Sequence, residues 1–298
     1  MRIGVIGLGS MGMGMAASLV RAGHDVAGSD IRPAAVDSLV ALGGRGAADP
    51  GAAAEGAQLI ILMVVNQAQV EAVLFGPAGA VGRLPKGAVV MLSATVPAAF
   101  TEALDARLGE TGHLLLDAPV SGGAAKARDG QLTIMSSGSA AAYAVADPAL
   151  AAVAATVYRL GDRPGIGSTV KTVNQLLAGV HIAAAAEAMA LGTRAGADPR
   201  QLYEVISNSA GGSWMFQNRV PHMLDGDFTP LSSVEIFVKD LGLVLDTGRS
   251  LRFPLPIAAA AHQQFLAAAA AGHGGSDDAA VVKVYEGLAG ITVARPKE

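Results

Sequence analysis

"VIGLGSMGMGMAASLV", Val5 to Val20, decides how the first half of this chain folds. A short β-branched run ends at Ile6, glycines follow at positions 7, 9 and 12, and an apolar helical stretch opens directly behind them. Glycines at this G-x-G-x-x-G spacing let the backbone turn tightly at the mouth of a helix, whose exposed N–H groups attract a pyrophosphate. A glycine-rich turn by itself is often only a turn, so its surroundings matter. Asp30 ends the next β-rich run, 18 residues beyond Gly12. An acid about 20 residues downstream is where a dinucleotide's adenosine ribose is held. Together these features predict a dinucleotide cradle of Gly7, Leu8, Gly9, Ser10, Met11 and Gly12, closed by Asp30, Ile31 and Arg32. The Asp30 carboxylate pairs with ribose hydroxyls and repels a 2′-phosphate, which favours NAD over NADP, while Arg32 keeps NADP as the alternative.

Outward from this turn, β-rich runs alternate with helical stretches: "RIGVIG", a helix over 11–22, "DVAGSD", a helix over 34–42, "LIILMVV", "AVVMLSAT", a helix over 97–109, "LLLDAPV", "LTIMSSG", a helix over 140–155 and "TVYRLG". Such alternation builds a parallel sheet from βαβ units. From Gly165 onward the pattern is helical, beginning with a long, nearly all-apolar helix. The expected architecture is therefore α/β, a Rossmann-type doubly wound parallel sheet followed by an all-α C-terminal domain, with domains at 1–162 and 163–298 parted at the Gly161–Gly165 turn. "SWMFQNR", 213–219, reads as a polar loop.

Composition narrows the function classes. A net charge of −4 with mixed signs leaves no basic stripe for nucleic acid and no polybasic patch for lipid. The absence of cysteine removes disulfides, thiolate nucleophiles and Cys-type metal sites, which fits a reducing cytoplasm. The six histidines are scattered without metal-ligand spacing, so no metal is expected. The N-terminal segment has glycines spaced for a turn and does not read as a signal peptide, and the alanine-rich runs read as close-packed helices rather than membrane spans.

The chemistry is expected on the long helix. With a start near Ser168, Lys171 falls in its first turn, and Asn174 and Gln175 at i+3 and i+4 share its face. A helix N-terminus and an apolar cleft both lower a lysine's proton affinity, which suits a proton shuttle; the plain alternative is a snorkelling surface lysine. "DAPVSGG", 117–123, offers a hydroxyl and bare backbone N–H groups at Ser121, Gly122 and Gly123 for a carboxylate. Lys239 and Asp240 sit in a helical apolar run, where an ion pair is the plain reading. Trp214 and Phe216 are expected to wall a pocket and Gln217 or Arg219 to meet substrate hydroxyls, against a core role for the only tryptophan.

"GLGSMGMGMA", "DAPVSGGAAKARDGQLTIM", "GSTVKTVNQ" and "KDLGL", in this order and across essentially the whole chain, resemble the β-hydroxyacid dehydrogenases, which include 3-hydroxyisobutyrate dehydrogenase and tartronate semialdehyde reductase. "NSAGGSWMFQNRVPHMLDGDFTP" is most similar to the L-threonate branch of that family. The resemblance implies Lys171 as catalytic acid/base, Asn174 orienting the substrate, Ser121, Gly122 and Gly123 on its carboxylate, and Lys239 by the nicotinamide. It also places Thr95 on the nicotinamide side and Val64, Val65 and Asn66 along the cofactor ribose. "MLSATVP" departs from the family's usual acidic element there. The implied activity is NAD-dependent oxidation of a small hydroxy acid, L-threonate first, with tartronate semialdehyde or 3-hydroxyisobutyrate as alternatives and a non-catalytic dinucleotide-binding protein as the remote one. A homodimer or homotetramer is the implied assembly.

Overall fold

The computed structural model describes Met1–Arg295; residues 296–298 of the expected second domain lie outside the described residues. The chain forms two compact units, Met1–Lys171 and a second from Thr172 onward.

The first unit runs β1 (Arg2–Ile6), α1 (Ser10–Arg21), β2 (Asp25–Ser29), α2 (Pro33–Ala41), β3 (Arg45–Gly46), α3 (Pro50–Ala54), β4 (Leu59–Leu62), α4 (Gln67–Phe75), β5 (Val89–Leu92), α5 (Ala98–Glu110), β6 (Leu114–Asp117), β7 (Val120–Ser121), α6 (Gly123–Arg128), β8 (Leu132–Gly138), α7 (Ala140–Val153) and β9 (Ala154–Arg159). Strands β3-β2-β1-β4-β5-β6 are parallel neighbours in that order, the doubly wound arrangement. β8 joins antiparallel to β6, β7 antiparallel to β8, and β9 parallel to β8. The run "LLLDAPV" is therefore two strands, broken at Ala118-Pro119, where a proline supplies no ladder N–H.

Both faces of the parallel sheet are covered, so the central strands β4 and β5 are apolar at every position. Leu59, Ile61, Val89 and Met91 enter one core with Met15 and Leu19 of α1. Ile60, Leu62, Val90 and Leu92 enter the other, with Val70, Leu104 and Leu108 of the helices behind. This period of two fixes which way each strand end faces. Between α1 and α6 the approach is so close that a Cβ on Gly14 would lie 2.7 Å from the Arg128 amide nitrogen.

α8 (Ile166–Arg194) is 29 residues long and contains the division between the units. Among the described residues it is the one helix long and apolar enough to cross a membrane by length and composition. Its Ile182, Ala186 and Met189 are core residues of the second unit, together with side chains from α10 (Trp214–Asp225), α11 (Val234–Leu251) and α12 (Pro256–Ala268). α9 (Pro199–Ser207) and α13 (Val282–Ala289) are further α-helices of that unit. The expected loop at 213–219 is instead the start of α10: Ser213 caps it by accepting the Phe216 amide at 3.0 Å. Pro221 inside the helix hides that periodicity in the sequence.

Candidate active site

The glycine-rich turn has the conformation its spacing implies. Gly7 adopts φ +90°, and a Cβ there would sit 2.4 Å from the Met63 carbonyl. A Cβ on Gly12 would fall 1.9 Å from the Gly7 carbonyl, so only glycine lets α1 begin this tightly against the turn. Gly9 differs: nothing lies within 4 Å of the Cβ it lacks, which leaves an open face at the N-terminus of a 12-residue helix. No side chain caps that end and no acid stands in its first turn, so the arrangement suits an anionic diphosphate. Beside it a cavity of about 350 Å³ is lined by Leu8, Gly9, Ser10, Arg32, Ala35 and Ser38. A dinucleotide fits this cradle.

Asp30, at the end of β2, is built into the same turn. Its Oδ2 accepts the Leu8 amide at 2.7 Å, and its Oδ1 accepts the Arg32 amide at 2.9 Å and Arg32 Nε at 3.1 Å. Arg32 also donates to the Leu8 carbonyl at 3.2 Å. Burial works against the Asp30 charge, but the Arg32 guanidinium and the two amides outweigh it and hold the carboxyl below its usual range. Ile31 is fully exposed and turns away from this network.

The remaining cofactor-side residues follow the ends of β4 and β5. Val64 packs partly on the sheet's second core and Val65 is exposed. Asn66 caps α4, its Oδ1 accepting the Gln69 amide at 2.9 Å, while Gln69 Oε1 accepts the Val65 amide at 2.8 Å. Thr95 is half-buried after β5; Ser93 before it is buried, and its Oγ has no hydrogen-bond partner among the described residues. At β7, Ser121 is followed by Gly122 at φ +135° and Gly123 at φ +78°. Successive left-handed glycines turn backbone N–H groups toward a common point, a nest for an anion.

Lys171 is 8% exposed, a buried amine in the second turn of α8. In the second unit, Gln175 is also buried and donates through Nε2 to Asp240 Oδ2 at 2.5 Å, while accepting Asn174 Nδ2 at 3.0 Å. Asp240 in turn pairs with Lys239, Nζ to Oδ1 2.7 Å. Asn174, Gln175, Asp240 and Lys239 thus form one polar chain joining α8 to α11. Asp240 was visible in the sequence only as the neighbour of Lys239; its link to Gln175 spans 65 positions.

Four aromatic and polar expectations resolve individually. Trp214 is 55% exposed at the start of α10. Phe216 is 3% exposed in the second unit's core, with its ring stacked on Tyr203 at 5.9 Å, so it supports α10 from beneath rather than presenting a face. Arg219 is committed to the fully buried Asp278, Nε to Oδ1 2.6 Å and Nη2 to Oδ2 3.2 Å, a structural ion pair. Gln217 Nε2 donates to the Ser207 carbonyl at 3.0 Å. Among the described residues no group of three or more His, Asp or Glu gathers as metal ligands would.

Residues 2–161 match the family model described as the NAD binding domain of 6-phosphogluconate dehydrogenase. Residues 165–285 match that described as NAD-binding of NADP-dependent 3-hydroxyisobutyrate dehydrogenase. The chain is 58% identical over 286 residues to an L-threonate dehydrogenase of Cupriavidus necator, covering 96% of each. It is 50% identical over 287 residues to an L-threonate dehydrogenase of Escherichia coli K12, covering 96% of this chain and 95% of the relative. A crystal structure of a 3-hydroxyisobutyrate dehydrogenase from Salmonella typhimurium superposes with a TM-score of 0.90 at 51% identity, over 95% of this chain and 99% of that one. A nucleotide-binding α/β unit, a following helical unit, and matched relatives over nearly its full length make this chain a member of the β-hydroxyacid dehydrogenase family of 3-hydroxyisobutyrate dehydrogenase type, an NAD-binding oxidoreductase.

Proposed function

We propose that this protein oxidises L-threonate to its 2-oxo acid with NAD, and that Lys171 is the group that moves the proton. The observation that carries the mechanism is a buried amine in the second turn of a long helix, in a chain whose relatives share its length. Bound NAD supplies the hydride acceptor. Gly7, Gly9, Gly12 and the first turn of α1 hold its diphosphate, and Asp30 its adenosine ribose. The Ser121-Gly122-Gly123 nest takes the substrate carboxylate, Asn174 orients the hydroxyl, and neutral Lys171 accepts the hydroxyl proton at Nζ as the carbinol hydrogen leaves as hydride. In the reverse direction the ammonium of Lys171 returns that proton to the carbonyl oxygen. Thr95 and Lys239 would serve the nicotinamide, Val64, Val65 and Asn66 the ribose beside it, and Trp214 the substrate.

A cytoplasmic homodimer or homotetramer completes the proposal. Ile166, Val170, Val173 and Leu177 are exposed along α8 at i, i+4, i+7 and i+11, the spacing of one apolar helix face, which supports pairing with a second copy.

Initial rates of NADH or NADPH formation with L-threonate, D-threonate, D-glycerate and 3-hydroxyisobutyrate, each with NAD and NADP, test this reading, with Lys171→Ala as the blank. A preference for L-threonate with NAD supports it. Preference for glycerate or 3-hydroxyisobutyrate discards the substrate and keeps the lysine; turnover equal to wild type in the blank discards the lysine.

A further inference from the structure

The most heavily bonded buried charge in the first unit belongs to Asp117, the last residue of β6, which is fully buried. Its Oδ2 accepts the amides of Gly165 at 2.9 Å and Ser168 at 2.8 Å and the hydroxyl of Ser137 at 3.2 Å; its Oδ1 accepts the Ser168 hydroxyl at 2.7 Å. Ser137 Oγ in turn accepts the Gly167 amide at 3.0 Å. Three N–H groups at the start of α8, which have no carbonyl partner inside the helix, are thereby satisfied by the ends of β6 and β8. Thr101 of α5 reinforces the clamp, its Oγ1 3.0 Å from Ser168 Oγ. Glycine is required at both approaches: Gly165 has φ +117°, and a Cβ on Gly167 would lie 2.9 Å from Asp117 Oδ2.

Lys171 follows Ser168 by three residues and shares its helix face. We propose that Asp117 is a positioning residue for Lys171: it fixes the turn from which the amine projects, and its negative charge at the helix N-terminus keeps the amine's proton affinity high enough for acid/base exchange. The inference rests on the proton-transfer role given to Lys171 above. Without Asp117 the N-terminal end of a 29-residue helix dipole weighs more heavily on a buried amine and lowers its proton affinity. Burial pushes the Asp117 carboxyl above its usual range, while its four donors pull the other way. Titratable groups facing the clamp include Glu102 of α5, exposed but with its carboxyl against Gly165, and Tyr143 of α7, whose ring carries Arg159 at 4.4 Å.

The test is the pH midpoint of Lys171 acetylation by acetic anhydride, followed by mass spectrometry on the intact chain, alongside kcat and NADH affinity. Asp117→Asn is expected to lower that midpoint by about one pH unit, to move the acid limb of kcat/KM for oxidation down by the same amount, and to leave NADH affinity within about threefold, since the cradle is untouched. Glu102→Gln, which removes a solvent-screened charge, is expected to leave the midpoint in place. An unmoved midpoint in folded Asp117→Asn overturns the inference. Should that variant not fold, Ser168→Ala keeps the charge and loosens the clamp: kcat falls at least about tenfold at unchanged KM and midpoint, and an unchanged kcat overturns the positioning role. Full turnover by Lys171→Ala refutes the proton-transfer role itself, whatever the midpoint does.

Discussion

Gln175 donates its side-chain amide to Asp240 Oδ2 at 2.5 Å, a buried bond between helices α8 and α11 of the second unit. Hydrogen bonds to ionised groups contribute more than neutral ones. Replacement of Gln175 by Ala removes this bond from Asp240 and leaves its ion pair with Lys239. The expected cost is about 1.5–3 kcal/mol of stability, measured by urea unfolding. A loss below about 0.5 kcal/mol means that the bond is replaced by water.

Gly9 and Gly12 are expected to separate folding from cofactor binding. Gly12→Ala places a methyl 1.9 Å from the Gly7 carbonyl and must displace α1, so both thermal stability and NADH binding fall. Gly9→Ala meets no protein atom, so its unfolding temperature should stay near wild type while NADH affinity, read by fluorescence titration, drops at least about tenfold. Unimpaired binding in Gly9→Ala would place the diphosphate elsewhere.

Asp30 and Arg32 are expected to set the cofactor preference together. Asp30→Ala frees Arg32 from its 3.1 Å pairing and removes the repulsion of a 2′-phosphate. Loss of a charged ribose contact typically costs about 1.5–3 kcal/mol, so kcat/KM for NAD should fall by about ten- to a hundredfold while that for NADP rises. Retained NAD selectivity in this variant would remove Asp30 from the ribose site.

How much of this was legible in the sequence depended on range. The glycine turn, Asp30 and the Lys171 face are local patterns, within a few residues or one βα unit, and the strand and helix alternation follows from periods of 2 and 3.6. Asp117 was not legible, because its partners lie 48 and 51 positions away and nothing local distinguishes it from an ordinary strand-end acid. α10 was hidden by Pro221, and Arg219 looked free for substrate because Asp278 stands 59 positions on. The alanine run after α12 reads as one helix, yet it leaves the α-helical path at 269–273, where Gly272 takes φ +92°.

Asp278 gives a pH dependence unrelated to catalysis. Burial raises its carboxyl to about 6, against the attraction of Arg219. Because the folded value lies above the ordinary unfolded one of about 3.9, the native state binds this proton more tightly, so its contribution to stability is greatest below about pH 4 and is lost as pH rises through about 6. Urea unfolding of wild type between pH 4 and 7 should carry a downward component of about 2–3 kcal/mol that Asp278→Asn lacks. Equal pH slopes in the two proteins would show that Asp278 stays ionised throughout.

The central assignment is Lys171 as the proton carrier, and the most direct measurement is kcat for L-threonate oxidation by Lys171→Ala beside its NADH affinity. Removal of a positioned acid/base lowers rates by about 10² to 10⁴, so turnover should fall on that scale with NADH affinity unchanged. Turnover within a few-fold of wild type would contradict it.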